Sequence, residues 1–98
     1  MSNGENYFIN VARDLAAAEY NRYHISQDET RTVDETLTSH DMYVVWFSKT
    51  LKNWKALVST DKLRGAYFEV TQNGEDQEVY VDYYQKVSNQ TYKLSSHD

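Results

Sequence analysis

The sequence predicts an α+β fold in which one N-terminal helix packs on an antiparallel β-meander of about four strands. Three observations lead to this prediction. The 98 residues fit a single domain, predicted to span residues 1–98. Residues 1–23 carry apolar side chains at helical spacing. From Met42 to about residue 94, β-branched and aromatic residues alternate with polar ones and are interrupted by turn signals, which is typical of consecutive antiparallel strands.

The first element is predicted to be an amphipathic helix over about residues 6–22. Because its apolar residues recur three and four positions apart, they fall on one face, which must be buried against another element. These residues are Phe8, Val11, Ala12, Leu15 and Ala18.

Residues 24–41 are predicted to form a long, mobile connector. The segment is polar and acidic, with few apolar residues to anchor it. Its acidic residues, opposed by Arg31 alone, are Asp28, Glu29, Asp34, Glu35 and Asp41.

The first two strands are predicted over residues 42–47 and 54–59, joined by a turn over residues 50–53. The first strand is apolar on both faces, which favours a central position in the sheet. This turn sets two apolar pairs opposite each other: Phe47 with Ala56, and Val45 with Val58.

The third strand is predicted to begin at Gly65 and the fourth to run over residues 78–83. A two-residue Asn-Gly loop would place Glu69 opposite Glu78, and like charges that face each other are destabilising. We therefore expect a four-residue loop over residues 73–76. This loop gives three pairs: Val70 with Val79, Phe68 with Val81, and Glu69 with Tyr80.

The end of the chain leaves two alternatives open. Residues 83–87 suit a short C-terminal helix, whereas residues 90–94 suit a terminal strand. Residues 95–98 are predicted to be a frayed tail.

Composition argues against several classes of protein. The chain has no Cys, so disulfides and thiolate metal sites are excluded. Its N-terminus lacks the pattern of a signal peptide, and no apolar run has the length of a membrane span, so we expect a soluble cytoplasmic protein that binds no membrane. His24, His40 and His97 lack metal-ligand spacing, and the three glycines are isolated. We expect no enzyme activity, no cofactor and no metal.

Two stretches, YVVWFSKTLKNWKALVST and GAYFEVTQNGEDQEVYVDYYQK, carry a resemblance to a known family. The chain resembles small uncharacterised proteins of phages and prophages of Gram-positive bacteria, over about residues 41–94. The most specific segments are VVWFSKTL, the KAL-ST stretch and the EVT-NG hairpin. The resemblance implies a phage or prophage product acting in a bacterial cytoplasm, and it implies no functional residue.

The main functional hypothesis is an interaction protein. Nine of its aromatic residues are Tyr, which offers a large rigid contact area with a polar tip. A sheet that is apolar on both sides also needs a second cover, so we expect a homodimer or a host-protein partner. The predicted interface residues on the outward sheet face are Tyr67, Tyr80, Glu69, Glu78 and Asp82.

Three other hypotheses stay open. The basic hairpin could bind single-stranded nucleic acid, because aromatic platforms flanked by cations suit it; its residues are Lys49, Lys52, Trp54, Lys55, Lys62 and Arg64, with Trp46. The acidic segments could mimic nucleic acid as an inhibitor. Glu69, Glu78 and Asp82 could hold a divalent cation or act as an acid–base pair, although a solvated polar face explains them more simply.

Overall fold

The computed structural model describes residues 3–27 and 36–95, with side chains from residue 6 in the first range and up to residue 25. One helix, α1 (Asn3–Gln27), packs on a sheet in the order β1-β2-β3-β4, in which every neighbouring pair is antiparallel. The predicted α+β meander is therefore confirmed, but the prediction of a central position for the first strand was wrong, since this strand lies at an edge of the sheet. The strands are β1 (Met42–Thr50), β2 (Asn53–Thr60), β3 (Ala66–Asn73) and β4 (Glu78–Gln85).

The core lies between α1 and one face of the sheet, called here the inner face. Small residues Ala12 and Ala16 are fully buried, so the helix backbone comes close to the strands, where Val58, Phe68 and Val70 are also fully buried. The helix is longer at both ends than the predicted 6–22. Its predicted stripe was wrong at one position, since Ala18 is exposed, and Ala16 and Tyr20 take up the buried face instead.

The end of the predicted connector is attached to the helix. Asn21 forms two 2.8 Å hydrogen bonds with the backbone of Leu37, and the Arg13 guanidinium donates to the carbonyls of Ser39 and Met42. A single 3₁₀ turn (Ser39–Asp41), capped by Thr38, then leads into β1. Residues 24–27 belong to α1, and the most acidic part of the predicted connector, residues 28–35, lies outside the described residues.

A β-bulge in β1 changes the predicted register. Phe47 lies opposite Ala56 as predicted, but Val58 pairs with Val44 and not with Val45, because the ladder shifts between Val44 and Trp46. The extra residue reverses which side chains face the core. As a result Met42 is buried on the inner face and Tyr43 lies on the opposite face, the reverse of what alternation from Phe47 alone would give.

The β3–β4 hairpin has a four-residue loop, but the loop lies one residue later than predicted, at residues 74–77, which moves the pairing by two. The predicted pairs Val70–Val79, Phe68–Val81 and Glu69–Tyr80 were therefore wrong. The observed register stacks Phe68 on Tyr83, with ring centroids 4.6 Å apart, an aromatic contact that the predicted pair of Phe68 with Val81 could not make. The observed pairs are Val70 with Val81, Phe68 with Tyr83, and Glu69 with Asp82.

The C-terminal helix that residues 83–87 suggested does not form. Residues 83–85 complete β4, and residues 86–95 have no regular secondary structure and are exposed throughout. Of the predicted frayed tail, residues 96–98 lie outside the described residues.

Candidate protein-interaction surface

The second face of the sheet, called here the outer face, points away from α1. Strand alternation and the observed pairings place its side chains in three transverse rows. No helix, strand or loop within residues 3–27 and 36–95 covers it. The rows are Tyr43–Ser59–Tyr67–Tyr84, Trp46–Leu57–Glu69–Asp82 and Ser48–Lys55–Thr71–Tyr80.

The outer face is rich in large side chains that remain in contact with water. Trp46, Tyr43, Tyr80 and Tyr84 are each between 42% and 52% exposed, and Leu57 lies half-buried between the aromatic groups. A contiguous aromatic and apolar patch on one sheet face is typical of an interaction surface, whereas isolated exposed apolar residues are ordinary.

The centre of the outer face carries two carboxylates and one cation. Glu69 and Asp82 are directly paired across β3 and β4, and the Lys55 ammonium lies 3.2 Å from a Glu69 carboxylate oxygen. Lys55 therefore offsets the repulsion at one of the two carboxylates. Asp82 forms no ion pair with any residue that the structure describes, which leaves a negative charge at the β4 side of the face.

Two tyrosine hydroxyls on the outer face lie close to carboxylates that raise their pKa values. The charge of Glu69, and then that of Asp82, holds the pKa of Tyr84 above its usual value, because a second negative charge beside them is unfavourable. Tyr80 donates a hydrogen bond to the Glu78 carboxylate, and this bond is the main cause of its raised pKa. Both hydroxyls therefore stay protonated donors over a wider pH range.

The structure brings four of the five predicted interface residues onto one patch. Tyr67, Glu69, Tyr80 and Asp82 lie in the three rows of the outer face. Glu78 projects from the same face at the beginning of β4, opposite Asn73, and so lies at its margin. Glu69, Glu78 and Asp82 do not converge, since the two acidic positions of β4 lie four residues apart along the strand.

The six residues predicted for nucleic acid are distributed over four parts of the molecule. Lys52 lies in the β1–β2 turn, whereas Lys62 and Arg64 lie in the β2–β3 connection at the opposite end of the sheet. Lys55 lies on the outer face. The other two belong to the inner side: Lys49 lies 5.7 Å above the Phe8 ring, and Trp54 is 2% exposed.

A cleft of about 460 Å³ lies on the other side of the sheet, between the end of α1 and β4. His24 Nε2 is 2.9 Å from the Tyr83 hydroxyl, and the ring centroid of His24 lies 4.2 Å from that of Tyr20, with the two rings tilted by 42°. These contacts fix the position of the imidazole ring between α1 and β4. Among the described residues, no group of three or more His, Asp or Glu side chains could hold a metal ion.

The predicted interface residues did not include four large residues of the outer face: Tyr43, Trp46, Leu57 and Tyr84. Leu57 could have been found, because it alternates with Lys55 and Ser59 on β2. Trp46 could also have been found, because the predicted inward position of its neighbour Phe47 turns it outward. Tyr43 could not, since its orientation depends on the bulge in β1, which no residue pattern indicates. Tyr84 depends on the extension of β4 beyond its predicted end at residue 83.

Comparison with known proteins identifies the family but not an activity. None of the described helices combines the length and the hydropathy needed to cross a membrane. No curated protein and no solved structure matches the chain. A family model matches residues 9–94, which include α1 and all four strands. The chain belongs to this family, a family of unknown function called DUF6275.

Proposed function

We propose that this protein is a non-enzymatic interaction module that binds a second copy of itself or a host protein through the outer face of its sheet. The single observation that carries the proposal is that this face exposes a contiguous set of aromatic side chains without a cover from the described chain. The helix already covers the inner face, so only the outer face of the sheet leaves its apolar side chains open to a partner.

The chemistry of the outer face fits a protein partner. Tyr and Trp are enriched at protein interfaces because each supplies a rigid apolar area and a polar group. One row across the four strands consists of Tyr43, Ser59, Tyr67 and Tyr84, so three of its four residues are tyrosines. Lys55, Glu69 and Asp82 beside this row provide charges that select the orientation of a partner.

The proposed setting is a phage or prophage product in the cytoplasm of a Gram-positive bacterium. Its support is the resemblance of residues 41–94 described above, with the VVWFSKTL and EVT-NG segments as its most specific parts. In this setting the partner is either a second copy or a protein of the bacterial host.

Binding of single-stranded nucleic acid ranks second. The lysines and Arg64 provide positive charge, but Trp54 is enclosed by Phe8 and Phe47 and offers no platform for a base. Lys52 and Arg64 also lie at opposite ends of strands about 25 Å long. A strand of nucleic acid would have to span the sheet to contact both.

The experiment compares Tyr84→Lys with Tyr7→Lys. Both residues are exposed tyrosines, but Tyr84 lies on the outer face and Tyr7 on the helix. Light scattering over a concentration series and tagged capture from a bacterial lysate should show association that Tyr84→Lys weakens and Tyr7→Lys leaves intact. Equal association by both variants, or no association with either itself or a lysate protein, would contradict the proposal.

A further inference from the structure

A second apolar surface without a cover lies in the C-terminal segment, residues 86–95, called here the arm. Its three large apolar side chains are almost completely exposed: Val87 at 96%, Tyr92 at 82% and Leu94 at 93%. These are the highest exposures of large apolar residues in the described chain apart from Leu51, which lies in a turn. The arm therefore packs neither on its own sheet nor on its own helix.

The start of the arm is fixed, although the arm itself is not packed. The Lys86 amide donates a 2.7 Å hydrogen bond to the carbonyl of Gly65, at the β2–β3 connection. Gly65 has φ +80°, and a side chain there would contact the Cβ of Lys86 at 3.1 Å. The arm thus leaves the sheet from a defined point at the end of β4, an edge strand.

The sequence of the arm is that of a segment which binds along a sheet. Tyr92 and Leu94 alternate with Thr91, Lys93 and Ser95, so the last residues of the arm present one apolar side when extended. Ten extended residues reach about 33 Å, against about 26 Å for an eight-residue strand, so the arm is long enough to cover a whole outer face. The family match continues to residue 94 and therefore includes all of the arm except Ser95.

The charges of the arm and the outer face are complementary. The arm carries Lys86 and Lys93 and no acidic residue. The outer face carries Glu69, Asp82 and, at its margin, Glu78, against Lys55 alone. An arm that lies over the β3–β4 side of the face would bring a cation to Asp82, which has no ion-pair partner in the described chain.

We propose that two copies of this chain exchange arms, so that the arm of each copy packs on the outer face of the other in a two-fold symmetric dimer. The occupant of the outer face is thus residues 86–95 of a second copy. This exchange buries Tyr92 and Leu94 and covers the aromatic rows, and the two-fold symmetry makes each contact occur twice in the dimer. The inference rests on the proposed function, because it names the partner of the same face.

The first test removes the arm or its apolar side. A chain that ends at Lys86 keeps the hydrogen bond to Gly65, and the full-length Tyr92→Ser/Leu94→Ser variant provides a second test without truncation. Ser88→Ala/Thr91→Ala is the matched control on polar positions of the arm. Light scattering and sedimentation should show a dimer for the wild type and the control, and a dissociation constant at least ~100-fold higher for both arm variants. Circular dichroism confirms that each variant is folded.

The second test asks whether the contact is made between copies. The arm variant keeps an intact outer face, and the Tyr84→Lys variant keeps an intact arm. Each alone should be monomeric, and mixing the two should restore association, because one arm can then bind one face. No association on mixing would mean that the arm acts within its own chain and would overturn the exchange.

The outcomes separate this inference from the proposed function. If both arm variants remain dimeric while Tyr84→Lys becomes monomeric, the outer face is the interface and the arm exchange is wrong. If the wild type is monomeric at all concentrations, the exchange is also wrong. The proposed function is then supported only if the wild type captures a lysate protein and Tyr84→Lys abolishes that capture. If Tyr84→Lys changes neither association nor capture, the proposed function falls.

Discussion

Glu69 and Asp82 face each other directly across β3 and β4, on the side of the sheet that no described element covers. Like charges in this arrangement destabilise a sheet, and Lys55, 3.2 Å from Glu69, offsets part of the repulsion. The sheet thus accepts an electrostatic cost on the outer face. That cost becomes smaller when a cation from another molecule approaches Asp82.

Removal of the compensating cation should destabilise the fold modestly. Lys55→Ala is expected to lower the free energy of unfolding by about 0.5–1 kcal/mol, since it leaves the Glu69–Asp82 repulsion without an offset and the pair is partly exposed. Urea denaturation measures the change, with the exposed Lys62→Ala as control. Adding Asp82→Asn should restore most of the loss, and a double variant as unstable as the single one would contradict the explanation.

The stability of the fold at alkaline pH should depend on the tyrosines of the outer face. The pKa of Tyr84 is raised by Glu69 and Asp82, and that of Tyr80 by its hydrogen bond to Glu78. A tyrosine whose pKa is higher in the folded than in the unfolded state stabilises the fold at pH values below the ordinary pKa of about 10. This stabilisation is lost as the pH rises through the pKa of the folded state. An NMR titration should show both hydroxyls ionising late, and Glu69→Gln should lower the pKa of Tyr84. An unchanged pKa would contradict the assigned cause.

The close approach of helix and sheet predicts an asymmetry between two alanines. Ala16 is fully buried against the strands, and Ala18 is exposed. Ala16→Leu should therefore cost about 1–3 kcal/mol by overpacking, whereas Ala18→Leu should change stability by less than about 0.5 kcal/mol. Thermal unfolding compares the two. Equal effects would mean that the helix is not seated as described.

The two tryptophans should separate stability from association. Trp54 is 2% exposed between Phe8 and Phe47, so Trp54→Ala should cost about 3–5 kcal/mol or abolish cooperative unfolding. Trp46 is 42% exposed on the outer face, so Trp46→Ala should cost far less stability and weaken association. Denaturation together with light scattering gives both quantities. A Trp46 variant that unfolds as easily as the Trp54 variant would place Trp46 in the core.

The β1–β2 turn contains a strained residue that can be replaced. Leu51 has φ +55° and is highly exposed, although left-handed backbone disfavours Leu and is tolerated by Asn. Leu51→Asn should therefore raise the free energy of unfolding by about 0.5–1 kcal/mol. Lys52→Asn, at the neighbouring turn position, is the control and should give no such gain. A loss on Leu51→Asn would contradict the strain.

Periodicity was sufficient to predict the helix, the four strands and their antiparallel order. It predicted Phe8, Ala12 and Leu15 on the packed side of α1, and all three contact the core. These elements were predictable because burial of one face imposes a spacing that local sequence reveals. The loop length of the last hairpin was also predicted, although its position was not.

What remained unpredictable depends on contacts between distant residues. The bulge between Val44 and Trp46 reverses the faces of the first residues of β1, and the register of β4 stacks Phe68 on Tyr83 although it also pairs Glu69 with Asp82. Neither effect can be derived from the residues of one strand. The candidate surface was therefore only partly predictable: Tyr67 and Tyr80 were found by alternation, whereas the side on which Tyr43 lies depends on the bulge.

An NMR concentration series on the uniformly labelled wild type tests the central claim most directly. If the outer face is the interface, the side-chain signals of Trp46, Tyr80 and Tyr84 should shift together as the concentration rises, while those of Tyr7 on α1 stay constant. Shifts that cluster on α1, or no shift in any outer-face signal while light scattering records association, would contradict the account.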